Sequence, residues 1–140
     1  MKNISLLVFM VVLGQYVFSQ TPSLTINVPN IDPKVGELQV SVFNSEESFL
    51  KENEEYKIYR FKIDKSDGKF IISDLQEGIY ALVIYHDKNN NKEMDRSFLG
   101  IPKEGYAFSN NYKPSLSGPD FEDCSFALKA NKELVIKLMY

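Results

Sequence analysis

The chain has 140 residues, 44% of them hydrophobic, 13% aromatic without one tryptophan, and a formal net charge of −3. That length favours a single domain, and a mildly acidic chain without a lysine-arginine cluster is a poor partner for nucleic acid or an anionic membrane. Cys124 is the lone cysteine, so no internal disulfide can form and stability has to come from an apolar core.

The first stretch, MKNISLLVFMVVLGQYVFSQ, reads as a leader. Lys2 is a short basic start, Ile4 to Leu13 is apolar except for Ser5, and Val17 and Ser19 suit a cut after Ser19. The apolar run falls short of the ~20 residues that a membrane span needs. The sequence therefore predicts a signal peptide over 1–19 and one exported domain over 20–140. That domain has no membrane span after cleavage and resides in the periplasm or outside the cell.

Beyond the leader, apolar residues recur with period two. Leu24, Ile26 and Val28 alternate with Thr25 and Asn27; Leu38, Val40 and Val42 alternate with Gln39 and Ser41; Tyr59, Phe61 and Ile63 alternate with Arg60 and Lys62. Each pattern predicts a strand with one buried face. Between the second and third lies SEESFLKENEE, Ser45 to Glu55, where Ser45 as N-cap and acids in the first turn predict one short helical segment. Ser66, Asp67 and Gly68 predict a turn, then KFIISDL a strand, with Gln76, Glu77 and Gly78 as the next turn. GIYALVIYHD is apolar on both faces and predicts a central strand covered on both sides. SFALKA and ELVIKLMY complete the set.

About seven short strands with almost no helix predict an all-β fold, an antiparallel β-sandwich, with a closed barrel as the alternative. The piece FIISDLQEGIYAL resembles transthyretin-like and carboxypeptidase-regulatory-like sandwiches, so the expected sandwich is immunoglobulin-like or transthyretin-like. There Gly78 is expected to allow a tight turn, and Tyr80 to enter the core with its hydroxyl bonded to nearby backbone.

The densest polar run is HDKNNNKEMD, His86 to Asp95. Asp87, Asn89, Asn91 and Asp95 occupy positions one, three, five and nine of a D-x-N-x-N-x-x-x-D loop, and alternate spacing turns side-chain oxygens toward one point. Calcium takes about six to eight such oxygens. Glu93, at position seven, can supply its backbone carbonyl, and Glu104 can return as a further ligand. Lys92 stands where an EF-hand loop has glycine, and Phe98 where it has its bidentate glutamate. The competing reading is an asparagine-rich turn that caps its own backbone. His86 shares a face with Tyr80, Leu82 and Ile84, which predicts a structural histidine bonded to backbone. A general acid–base role beside Asp87 or Glu104 is the weaker expectation. Cys124 is expected to be a small buried apolar residue.

In FLGIPKEGYAFSNN, Gly100, Pro102 and Gly105 are expected to fold a loop, with Phe98, Tyr106, Phe108 and Tyr112 either displayed on its surface or pinning it to the sheet. Ser109 and Asn110 close the segment.

Taken together, GIYALVIYHDKNNNKEMDRSFLGIPKEGYAFSNN resembles the signature of domain of unknown function 2141, a family of short exported bacterial proteins. The matching positions are Tyr80, His86, Asp87, Asn89, Asn91, Asp95, Gly100, Pro102, Glu104, Gly105, Tyr106, Phe108, Ser109 and Asn110; Lys92 departs from the family's usual glycine. The resemblance implies that the acidic loop and the glycine-proline loop belong together, and it implies no reaction. The functional expectation is a non-enzymatic exported protein with a calcium-binding loop at 87–95. Its alternative is a cell-envelope accessory module whose 86–112 loops hold a protein, peptide or glycan partner.

Overall fold

The computed structural model describes residues 21–63, 68–115 and 117–140. The leader over 1–19 and the Ser66–Asp67 part of the expected turn lie outside the described residues. The strands are β1 (Leu24–Asn27), β2 (Glu37–Phe43), β3 (Lys57–Lys62), β4 (Lys69–Ile72), β5 (Gly78–Asp87), β6 (Tyr106–Phe108), β7 (Phe126–Leu128) and β8 (Lys132–Val135).

They form two sheets, ordered β4-β1-β8 and β3-β2-β5-β6, with β7 pairing the first residues of β5. Every pairing is antiparallel except β1 with β8, which run parallel. This is the all-β sandwich that the period-two pattern predicts. The inner faces carry Leu24 and Ile26 of β1 with Val28 just after it, Leu38, Val40 and Val42 of β2, and Tyr80, Leu82 and Ile84 of β5, all in one buried cluster. The residues that alternate with polar ones in the sequence are therefore the ones that meet.

β5 is central, as its two apolar faces require. Its second face gives Ala81 to a separate cluster with Phe43, Phe49, Phe108 and Cys124. Tyr80 turns its hydroxyl back to donate to the Gln76 carbonyl at 3.0 Å, a tyrosine corner. Gly78 serves this corner by lacking a side chain: a Cβ there would come within 3.2 Å of the Tyr80 ring. The expectation of a special turn conformation at Gly78 gives way to this packing reason, because its φ is not positive.

The sheets are tied at their margins. Asp74, after β4, accepts the Tyr59 hydroxyl at 2.6 Å and the Lys57 ammonium at 2.8 Å, both from β3. That ammonium holds the Asp74 carboxyl below the usual carboxylate range. At the other margin Tyr106 of β6 exchanges two backbone hydrogen bonds with Met139, 2.9 and 2.7 Å long.

Two elements differ from expectation. Ser45–Glu55 is a run of turns, not a helix. Ser45 caps as expected, accepting the Ser48 N–H at 3.4 Å. The bonds that follow, Phe49 N–H to Glu46 and Lys51 N–H to Ser48, span three residues, and Leu50 and Asn53 then swing to φ of 62° and 63°. Only Phe49 of this segment is a buried apolar anchor, stacking edge-on to Phe43 at 5.4 Å, so little repays the cost of nucleating a helix. The short helix, α1, lies instead at Phe121–Cys124. Asp123 accepts the Asp120 N–H at 3.0 Å at its start. Secondly, β6 falls inside the segment expected to be loop.

Tyr80→Phe deletes one hydrogen bond without changing the packing. It should lower the unfolding free energy by about 1 kcal/mol, against about 2–5 kcal/mol for the cavity left by Leu82→Ala. Urea titration with unchanged m-values reads both, and a Tyr80→Phe variant as stable as wild type would remove the corner from the account.

Candidate functional site

The polar end of the sandwich begins where β5 ends. Register with β2 sets Leu38 opposite His86 and Glu37 opposite Asp87. The two side chains point to opposite faces, and both are fully buried.

His86 is held on both ring nitrogens. Nε2 lies 2.7 Å from the Val35 carbonyl and Nδ1 3.2 Å from the Tyr140 hydroxyl. A carbonyl can only accept, so Nε2 carries a hydrogen, and Nδ1 shares a hydrogen bond with the Tyr140 hydroxyl. The Tyr140 oxygen in turn accepts the Asp32 N–H at 3.0 Å. The Tyr140 ring packs on Gly105, where a Cβ would sit 2.4 Å from a ring carbon. His86 is therefore buried and bonded to backbone, as the sequence leads one to expect. It lies in no open cleft, and its hydrogen-bond partners include neither Asp87 nor Glu104.

Asp87 opens the loop. Its Oδ1 accepts the Asn91 N–H at 3.2 Å and its Oδ2 accepts the Lys92 N–H at 2.8 Å. The Arg60 guanidinium stands 4.0 Å away. Asn89 Oδ1 accepts the Asn91 N–H at 3.1 Å and Asn91 Oδ1 accepts the Glu93 N–H at 2.9 Å, two successive Asx turns. Their amide nitrogens both donate to Asp95, at 2.8 and 3.0 Å. Asn90 and Lys92 take φ of 58° and 66°. Lys92 thus adopts the left-handed turn that glycine would adopt freely. Buried Glu104 clamps the loop's two ends, accepting the Lys88 N–H at 2.8 Å and the Asp95 N–H at 3.3 Å.

The spacing therefore brings Asp87, Asn89, Asn91, Asp95 and Glu104 into one network, and Glu93 adds its N–H. Backbone and amide N–H groups occupy the oxygens. Among the described residues, no three acidic, histidine or cysteine side chains converge on one point as a metal set.

The glycine-proline segment divides in two. Its first half is a tight hairpin: the Lys103 N–H donates to Asp95 at 2.8 Å and the Ser97 N–H to Ile101 at 2.7 Å. Arg96 pairs with Pro102 across it, and Gly100 turns its tip at φ 78°. Its second half is structural. Tyr106 and Phe108 belong to β6, and Phe108 is in the second apolar cluster. Fully buried Ser109 accepts the Leu82 N–H at 2.9 Å and donates to the Cys124 carbonyl. Asn110 donates to the carbonyls of Asp123 and Ser125, at 3.1 and 2.9 Å. These residues staple β6 to β5 and α1. Of the four aromatics considered for display, only Phe98 is in solvent, 103% exposed, beside Leu99 at 79% and Ile101 at 61%. Leu99 and Ile101 could have been noticed as an unbroken apolar tip between polar flanks.

Cys124 is buried, and burial pushes its thiol up to about 12. No nucleophile is available there.

The sequence profile of the bacterial family described as domain of unknown function 2141, uncharacterised proteins conserved in bacteria, matches residues 26–136. The chain belongs to that family. Searches of the curated proteins and of the solved structures returned no match.

Two outcomes follow from the site. Glu104→Ala strands two N–H groups. It should cost about 3 kcal/mol and speed hydrogen exchange at Lys88 and Asp95, whereas Glu93→Ala should stay within about 0.5 kcal/mol. Equal effects would show that the clamp bears no load. A thiol reagent at pH 8 should leave Cys124 unmodified in the folded chain and modify it in urea.

Proposed function

We propose that the chain is an exported, non-enzymatic β-sandwich that serves as a cell-envelope binding module and engages its partner through the 95–103 hairpin. The observation that supports this is the trio Phe98, Leu99 and Ile101, which are the most exposed large apolar side chains among the described residues. Contiguous exposed apolar groups on a braced loop mark interaction sites. Tyr106 and Phe108, first considered for this role, are parts of a strand, and substituting them would test the fold instead. His86 is sealed between Val35 and Tyr140, and Cys124 is buried, which fits a non-enzymatic reading.

A second reading concerns the loop below the tip. Asp87, Asn89, Asn91 and Asp95 already share one network, and Glu104 adjoins it. A calcium ion would need Asn89 and Asn91 to turn their oxygens inward and take over Asp95 from their amides. Ligands of low charge place such a loop in the weak extracellular class, ~10⁻⁴–10⁻³ M.

For the first reading, a washed envelope fraction incubated with the mature chain should retain it, and Phe98→Ser with Leu99→Ser should reduce retention at least about tenfold. Equal retention of the two proteins counts against the tip. For the second, calcium at a hundred times its dissociation constant should add about 2.7 kcal/mol to wild-type stability. It should add nothing to Asp87→Ala. Thermal melts in calcium and in chelator that coincide for wild type would remove the ion.

A further inference from the structure

We infer that the hairpin's target is an anionic lipid surface into which Phe98, Leu99 and Ile101 insert, an inference that rests on the binding-module reading above. Three observations carry it.

First, the apolar groups form a tip that protrudes into solvent. Phe98 at 103% exposure touches almost nothing of its own chain. Such a tip suits a surface that yields to it, and interfacial apolar groups bury roughly 5–10 Å into the headgroup boundary.

Second, the hairpin's backbone is paired from within on both sides of Phe98 and Leu99, which limits the unpaired groups that burial near hydrocarbon would penalise. The N–H groups of Ser97, Gly100 and Lys103 reach the carbonyls of Ile101, Ser97 and Asp95 at 2.7, 2.8 and 2.8 Å. The Ile101 N–H reaches the Ser97 hydroxyl at 3.1 Å, the Arg96 guanidinium meets the Gly100 carbonyl at 3.2 Å, and Pro102 has no N–H.

Third, the exposed charge over residues 88–104 is the reverse of the chain's. Between residues 88 and 104, Lys92, Arg96 and Lys103 are exposed and Lys88 is half-buried. The acids are Glu93, which is exposed, Asp95, which is half-buried and bound to two amides, and Glu104, which is buried. Asp87, just before, is buried as well. The net charge of −3 argues against an anionic membrane, but folding withdraws the acids here and leaves the basic side chains out. Lysines and arginines flanking an inserted apolar tip attract acidic headgroups and are screened by salt.

The chain has no tryptophan, so Phe98→Trp supplies a single reporter at the tip. Its emission should shift to the blue with vesicles of phosphatidylcholine plus phosphatidylglycerol. The shift should be weak with phosphatidylcholine alone and should fall as salt rises. In vesicle co-sedimentation, Phe98→Ser with Leu99→Ser should lower binding at least about tenfold. Lys92→Glu with Lys103→Glu should lower it too, with melting temperatures unchanged in both. No shift and no sedimentation would overturn the lipid target. If tip-dependent retention by the envelope fraction then survived, the binding module would stand with a protein partner in place of lipid. If retention also vanished, both readings would fall.

Discussion

Glu104 and Asp87 are carboxylates inside a fold that offers them little charge to pair with. Asp87 has the Arg60 guanidinium at the edge of reach, 4.0 Å away. Backbone N–H groups do the rest, two to each carboxylate. Burying an ionised group is tolerable only when its lone pairs are filled with good geometry. The loop's path is therefore prescribed: the chain leaving β5 must curl so that Asn91 and Lys92 return to Asp87. The chain coming back must present Lys88 and Asp95 to Glu104. The strain of a left-handed Lys92 is the cost of that path.

The opposite face of β5 carries the matching constraint from the chain's end. Tyr140 passes its hydroxyl to His86 and lays its ring on Gly105, while Val35 fixes the other side of the imidazole. Segments more than fifty residues apart in sequence thus meet at one buried ring. His86 belongs to this strap and Asp87 to the loop, although they are neighbours in sequence, because a strand sends adjacent side chains to opposite faces.

Much of this was legible in the residues. Period-two runs gave β1, β2 and β3, and apolar runs between turn signals gave β4, β7 and β8. The two-faced apolar character of GIYALVIYHD gave the central one, and alternate Asp and Asn gave the curl of the loop. β6 was not legible, because three residues between Gly105 and Ser109 carry no period, and its partners Val83 to Tyr85 and Met139 are distant in sequence. Ser45–Glu55 has a helix's start, and only the tertiary count of one anchoring phenylalanine shows why it stops. The roles of Ser109, Asn110 and Gly105 were hidden for the same reason. Each answers a carbonyl, an N–H or a ring supplied by another part of the chain. The α1 signal, Asp120 with Asp123 three residues on, is local and lies in the sequence itself.

Asp95 joins the two halves of the polar end. Its side chain is held by Asn89 and Asn91, its N–H by Glu104, and its carbonyl takes the Lys103 N–H at the base of the hairpin. The direction of the hairpin is therefore set by the loop beneath it, and the loop is set by two buried carboxylates. Any ligand that draws the oxygens of Asp95 away from the asparagine amides acts on the residue from which the tip is hung. An ion in the loop and a partner at the tip would then be thermodynamically linked through Asp95, each altering the affinity for the other by the same factor.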